Sequence, residues 1–315
     1  MIRVLSTKNG LIAQYDAACK EVLSHKMILA HIMKDCMVEY AGVEADVIAR
    51  QFIETEALVS QVLVEEGGEE WLPRIQGTNT EDTSVGEGRI TYDIRFTASL
   101  PTTGQRVWID VEPQKDFWPG YSLLKRGIYY LCRMISAQRG REFAGSDYDE
   151  LKKAYSIWIC LKPPKKFEHT IKYYEFQDRD DKKYPGFERE KYDLMTLVMI
   201  CLGDPSDSRA VGVLRLLSVL FTNAYDLVEK QKILKEEFNI VATESMRKGM
   251  KSVCNFGEGI YEEGFEKGIE KGIGIMNQLY LLLLSKGRYE ELEKAARDES
   301  YRNLLMREFG LSFSN

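Results

Sequence analysis

Between residues 89 and 114 the chain alternates apolar and polar residues on both sides of a turn: RITYDIRFTASL, then PTTG, then QRVWIDVEPQ. Successive side chains of a strand point to opposite faces. Two such runs joined by turn residues read as a β-hairpin over 89–114. In the first strand Tyr92, Ile94 and Phe96 then share one face, and Thr91, Asp93, Arg95 and Thr97 the other. In the second, Val107, Ile109 and Val111 share a face, opposite Trp108, Asp110, Glu112 and Gln114. With the apolar sets on the core, the polar sets project together. Any register that keeps the faces aligned puts Asp93 opposite or diagonal to Asp110 or Glu112.

Cross-strand neighbours lie ~5 Å apart at Cβ, and like charges there are destabilising. Arg95 and Arg106 could offset the carboxylates by pairing with them. A hard divalent cation would do so better, because Mg²⁺ takes carboxylate oxygens, usually one or two, and keeps several waters. The plain alternative is an exposed hairpin with a wet polar face. Two details weigh against it. Asp110 and Glu112 sit in a run otherwise suited to burial, and Pro113 removes a ladder hydrogen bond beside them, which predicts an end to pairing and a re-aimed strand. Carboxylates around a cation suit phosphodiester hydrolysis, in which the metal polarises a phosphoryl oxygen and lowers the pKa of a bound water. Two residues after Glu112, where a lysine would orient or activate that water, stands Gln114. An amide can hydrogen-bond a water but brings no charge.

Around the hairpin, residues 11–60 carry apolar residues at helical spacing, interrupted at Gly42 and resuming in VEADVIARQFI. Residues 65–89 are acidic and glycine-rich and read as loop, with one short strand around Trp71–Ile75. After Pro119-Gly120 a helix is predicted over 121–138. AYSIWICLK reads as a buried strand, YYEFQDRDDKKYPGFEREKY as a charged excursion, DLMTLVMICLGD as another strand, and RAVGVLRLLSVLFTNAYDLVEKQKILKEEF as helical. The order predicts an α/β fold. The last third differs. Glycines 264, 268 and 272 punctuate GFEK and GIEK units, each costing a helix ~1 kcal/mol against alanine. That suggests a helix marginal alone or packed closely on a partner, followed by two or three small helices with a turn at Ser285–Gly287. A boundary near residue 245 divides a 1–245 domain from a 246–315 tail.

The predicted helix at 121–138 favours a phosphate partner. Arg126, Tyr129 or Tyr130, and Arg133 recur at three- and four-residue spacing. From Lys115 to Arg141 there are six Lys or Arg residues and one acid, Asp116, in a chain of net charge −6. The cations could neutralise phosphates and the tyrosines could stack on bases, with Lys115, Lys125, Arg126, Tyr129 and Arg133 as candidates. The bland reading is solvated charges and core tyrosines. Net acidity itself argues against a protein that coats nucleic acid non-specifically.

YDIRF…IDVEPQ, then KRGIYYLCRMIS, then YSIWIC, resembles the PD-(D/E)XK nuclease family transposases, a group that includes the recombination-promoting nucleases. The likeness spans roughly residues 10–245, and the glycine-repeat tail looks like those such proteins often carry. It implies a restriction-endonuclease-like core, a central mixed sheet flanked by helices, with Mg²⁺-dependent DNA cleavage in which Mn²⁺ can substitute. By position Asp93 takes the first acid of the motif, with Tyr92 where a proline would stand. Glu112 takes the second acid and Gln114 the lysine position, a replacement common in this group. Asp110 would be an auxiliary ligand or stand behind the ligands. Lys115 points to the opposite face of an ideal strand. An acid from the N-terminal helices often completes such sites, and Glu39, Glu54 and Glu56 are equal candidates.

The remaining sequence excludes rivals. The six cysteines form no CxxC pair and the three histidines no metal-spaced group, so neither a disulfide framework nor a zinc site is expected. No apolar run approaches the ~20 residues of a membrane span, and a soluble cytoplasmic protein is expected. The expected activity is that of a metal-dependent DNA endonuclease. The alternatives are a degenerate nuclease fold that binds nucleic acid without cutting it, and an interaction protein that oligomerises through its tail.

Overall fold

A computed structural model describes the backbone of residues 2–54, 56–57, 76–77, 81–84, 88–178 and 186–311, and the side chains of 13–54, 91–178, 186–254 and 273–311. The chain opens with helices α1 (Ile2–Leu23) and α2 (Lys26–Cys36) and the short α3 (Ala45–Val47), which continues into a π-helical turn at Ile48–Phe52. Two small pairings follow. β1 (Glu56–Ala57) runs parallel to β2 (Gln76–Gly77), and β3 (Glu81–Ser84) runs antiparallel to β4 (Gly88–Thr91). β3 falls where a loop was expected, and β4 takes the start of the strand expected from Arg89; the short strand expected around Trp71–Ile75 lies outside the described residues.

The main sheet has five strands, β5 (Ile94–Ser99), β6 (Arg106–Asp116), β7 (Ala154–Lys162), β8 (Thr170–Glu175) and β9 (Met195–Cys201), in the order β5-β6-β7-β9-β8. β5 and β6 form the antiparallel hairpin, β6, β7 and β9 run parallel, and β8 closes the far edge antiparallel to β9. Helix α4 (Leu123–Ser136) crosses from β6 back to β7, as a parallel connection requires. Helices α5 (Gly212–Phe221) and α6 (Leu227–Phe238) follow β9. The molecule is thus α/β, with a mixed sheet flanked by helices. Among the described residues no helix is long and apolar enough to cross a membrane.

Both faces of β6 are buried. Val107, Ile109 and Val111 are fully covered on one side. On that side Tyr155, the β7 neighbour of Ile109, donates its hydroxyl to Glu39 Oε2 at 2.7 Å. On the other side α4 packs its apolar stripe, Leu123, Tyr130, Leu131 and Met134, against Trp108, Trp158, Leu197 and Met199. Gly127 permits that approach. A Cβ there would lie 2.7 Å from Leu197 Cδ1 and 3.0 Å from Trp158 Nε1. The hairpin's polar set therefore faces a helix, and the wet-face alternative is excluded.

Two local expectations are corrected. Tyr92 packs with Trp108 and Tyr130 rather than with Ile94 and Phe96. β4 ends at Thr91 and β5 starts at Ile94, so the bend at Tyr92–Asp93 resets the alternation. Pro113 does not end pairing on both sides, since β6 stays in register with β7 as far as Asp116. Trp108 N–H points to Lys153 O at the entry to β7, so odd-numbered amides of β6 point to β5. Pro113 therefore lacks its N–H on the side where β5 has not begun, which is where a strand tolerates proline.

The expected boundary near 245 falls inside one helix. α7 (Glu244–Ser285) has 42 residues and is followed by α8 (Tyr289–Arg297) and α9 (Glu299–Glu308). Its first turns bury Met246, Met250 and Val253. The chain divides into one compact unit of Ala13–Asn255 and another of Met1–Ile12 with Phe256–Asn315. In the second, Leu279, Leu283, Ala295, Leu305 and Met306 form a small core of their own. The repeated glycines lie within helical backbone, and their packing lies outside the described residues.

Candidate functional site

The hairpin register places Arg95 opposite Asp110 and Ile94 opposite Val111. Asp93, one step beyond the ladder, donates its backbone N–H to Glu112 Oε1 at 2.9 Å. Asp93 and Glu112 thus meet across the strands, as the alternation predicts. Asp110 lies beside Glu112 on the same face, fully buried, with Glu112 only 2% exposed. Ser156 on β7 donates its hydroxyl to Asp110 Oδ2 at 2.9 Å, and Trp158 Nε1 donates to Ser156 Oγ at 2.9 Å. Asp110 Oδ1 is buried and receives no hydrogen bond.

The acids are compensated only in part, by Lys20 at Asp93 and by the charge of Arg95 at Asp110. Burial pushes the Asp110 carboxyl up to about 7, against the pull of Ser156 and Glu112. Glu112 is held well above the usual carboxylate range, first by burial and then by the charges of Asp110 and Asp93. Burial also raises Asp93, with Lys20 pulling it down. Asp110 and Glu112 are raised together, by burial and by each other's charge, so the two titrate as a pair.

Two residues of α1 complete the group and escape the sequence reading. Lys20 Nζ lies 2.6 Å from Asp93 Oδ1 and 2.6 Å from Asp16 Oδ2. The acids weighed from the N-terminal region are elsewhere. Glu39 binds Lys153 and Tyr155, and Glu54 binds Thr97 and Arg106. Glu56 has no described side chain. The Asp16–Lys20 spacing of four was readable as a helical ion pair, but nothing local ties it to Asp93.

The remaining candidates separate. Gln114 Nε2 donates to the backbone oxygen of Asp116 at 3.0 Å. Lys115 lies on the opposite face, its Nζ 5.6 Å from the Tyr15 ring centre. Arg126 is half-buried and aimed at the site. It donates to Tyr130 Oη at 3.1 and 2.6 Å and to Tyr121 Oη at 2.8 Å, and feels the charge of Glu112. Lys125 and Tyr129 are exposed. Arg133 corrects an expectation: it is 2% exposed, with Nη1 3.3 Å from Tyr129 Oη, so it offers phosphate no open surface. Arg95 and Arg106 do not hold the acids in salt bridges. The Arg95 guanidinium lies over the Tyr92 and Trp108 rings, and Arg106 pairs with Glu54 and Glu142.

The chain matches no protein-family model, no curated protein and no solved structure.

Among the described residues no group of three or more His, Cys, Asp and Glu side chains is gathered to hold a metal ion. A hard cation does not require one, since Mg²⁺ is commonly held through one or two carboxylates and waters. In donor chemistry the site fits such an ion. It has oxygen ligands only, excess negative charge in a buried setting, and an Asp110 oxygen that receives no donor. Asp93 and Glu112 are the pair that would hold it, with Asp110 behind them.

Proposed function

We propose that this chain is a Mg²⁺-dependent DNA endonuclease with a restriction-endonuclease-like core, akin to the PD-(D/E)XK nuclease family transposases. The observation that carries the reading is the meeting of Asp93 and Glu112 across the hairpin, backed by Asp110, with all three carboxyls raised. Ion-pair networks also perturb carboxyls, but here burial leads each of the three shifts and outweighs the opposing charges of Lys20 and Arg95.

Bound at Asp93 and Glu112, Mg²⁺ or Mn²⁺ would polarise a phosphoryl oxygen and supply a hydroxide-like water. Asp110 adds negative charge behind Glu112, and Ser156 fixes its orientation. Arg126, held by two tyrosine hydroxyls, presents a guanidinium to a phosphate beside the acids. Lys125 extends that positive edge. Lys20 orients Asp93 and brings the positive charge that Gln114 lacks.

The test is nicking of supercoiled plasmid in Mg²⁺, Mn²⁺ and EDTA by wild type, Asp93→Asn and Glu112→Gln. The reading requires divalent-dependent product from wild type and at least a hundredfold loss in both variants. Product that survives in both removes the site. A second reading, a nuclease fold that binds DNA without cutting it, is favoured by the Gln114 amide turned onto Asp116. Salt-sensitive binding without product in either cation would establish it.

A further inference from the structure

We propose that the β6–α4 loop and the start of α4 form a stacking platform for unpaired DNA bases. This rests on the nuclease reading and names its substrate class: DNA with a single-stranded segment running past Glu112. Trp118 is 69% exposed and Tyr121 is 51% exposed, on the few residues that separate the acid strand from the helix carrying Arg126. The turn between them uses Gly120 at φ +93, a conformation that glycine adopts without strain.

These rings are braced. Trp118 meets Phe117 edge-on at 4.9 Å, and Phe117 stacks on Phe167 at 5.2 Å. The indole is thus supported from beneath while most of its surface stays open. Tyr121 accepts a hydrogen bond from Arg126 Nη1, and the same guanidinium donates to buried Tyr130 beside the acids. The exposed Tyr121 ring is therefore bonded to the guanidinium that feels the charge of Glu112.

The occupant follows from charge and shape. Arg126 is hydrogen-bonded to Tyr121 and Lys125 stands exposed one residue before it, a positive edge beside the rings that suits a polyanion carrying flat apolar groups. Inside a duplex each base face is covered by its neighbours, so protruding rings can stack only on unpaired or terminal bases. Duplex DNA would meet the cations and leave both rings without a partner.

Fluorescence anisotropy of full-length protein in EDTA, with a labelled single strand and its duplex, tests this without turnover. The single strand should bind more tightly. Trp118→Ala should weaken single-strand binding about tenfold while changing duplex binding less than about twofold. Trp118→Phe should retain most of the affinity. Equal effects on both DNAs, or none, overturn the proposal. So would a dimer that Trp118→Ala converts to monomer with DNA binding unchanged, which would give the patch to a second copy. Single-strand preference without Mg²⁺-dependent product would sink the nuclease reading and leave the platform. Glu112-dependent nicking with Trp118→Ala binding like wild type would do the reverse.

Discussion

Lys20 Nζ sits 2.6 Å from Asp93 Oδ1, so the ammonium beside the first motif acid comes from helix α1 and not from the strand that carries Glu112. Lys20→Gln should lower the initial rate of Mg²⁺-dependent plasmid relaxation at least tenfold with an unchanged circular dichroism spectrum. Gln114→Lys should recover part of that loss in the Lys20→Gln background and add little to wild type. Wild-type nicking by Lys20→Gln would reduce the contact to a structural clamp.

Metal binding should expel a proton. Carboxylate ligands must be deprotonated, and Glu112 keeps its proton well above the usual range while Asp110 titrates at about 7. Calorimetric titration of Mg²⁺ at pH 6 in two buffers of different ionisation enthalpy should show about one proton released per ion. Affinity should rise with pH towards 7 and beyond. In Glu112→Gln the released proton should disappear.

Stability without metal should fall as pH rises. Each of the three acids has a folded pKa raised above its ordinary value. Their contribution is fully present below the unfolded pKa, about 3.9 for aspartate, and is lost as pH climbs through the folded values, about 7 for Asp110. Thermal melts in EDTA should show Tm declining from pH 4 to 8. Asp110→Asn, which still accepts from Ser156, should flatten that slope and raise Tm at pH 8 by a few degrees.

Gly127→Ala should destabilise by about 1–3 kcal/mol, the usual cost of overpacking, because the new methyl meets Leu197 and Trp158. Chemical denaturation measures it. Trp158 also anchors Ser156, so the nicking rate should fall with stability.

A chain of residues 13–255 should keep a cooperative melt, whereas 13–245 should lose it, since the shorter piece lacks Met246, Met250 and Val253. Burial of each such side chain contributes about 1.5–3 kcal/mol. If the tail oligomerises the protein, 13–255 should elute as a monomer beside a larger full-length species.

The hairpin and the meeting of Asp93 with Glu112 were legible because period-two alternation fixes which residues share a face. AYSIWICLK was legible for the same kind of reason, a run apolar enough to be buried on both sides, and it matches β7 residue for residue. β8 was not. As an edge strand it leaves Lys172, Tyr173, Tyr174 and Glu175 exposed, so burial wrote no pattern into it. Lys20 and Asp16 escaped because apolar spacing identifies a helix and says nothing about what its polar side will meet. The basic stripe of α4 misled at Arg133, where charge suggested solvent and packing placed the guanidinium inside.

The relay from Trp158 through Ser156 to Asp110 gives the molecule an optical consequence. An indole whose N–H ends a hydrogen-bond path to a titrating carboxyl changes its emission when that carboxyl changes charge. The protein therefore carries a built-in fluorophore beside its own acid cluster, readable under ultraviolet excitation without a label or a substrate.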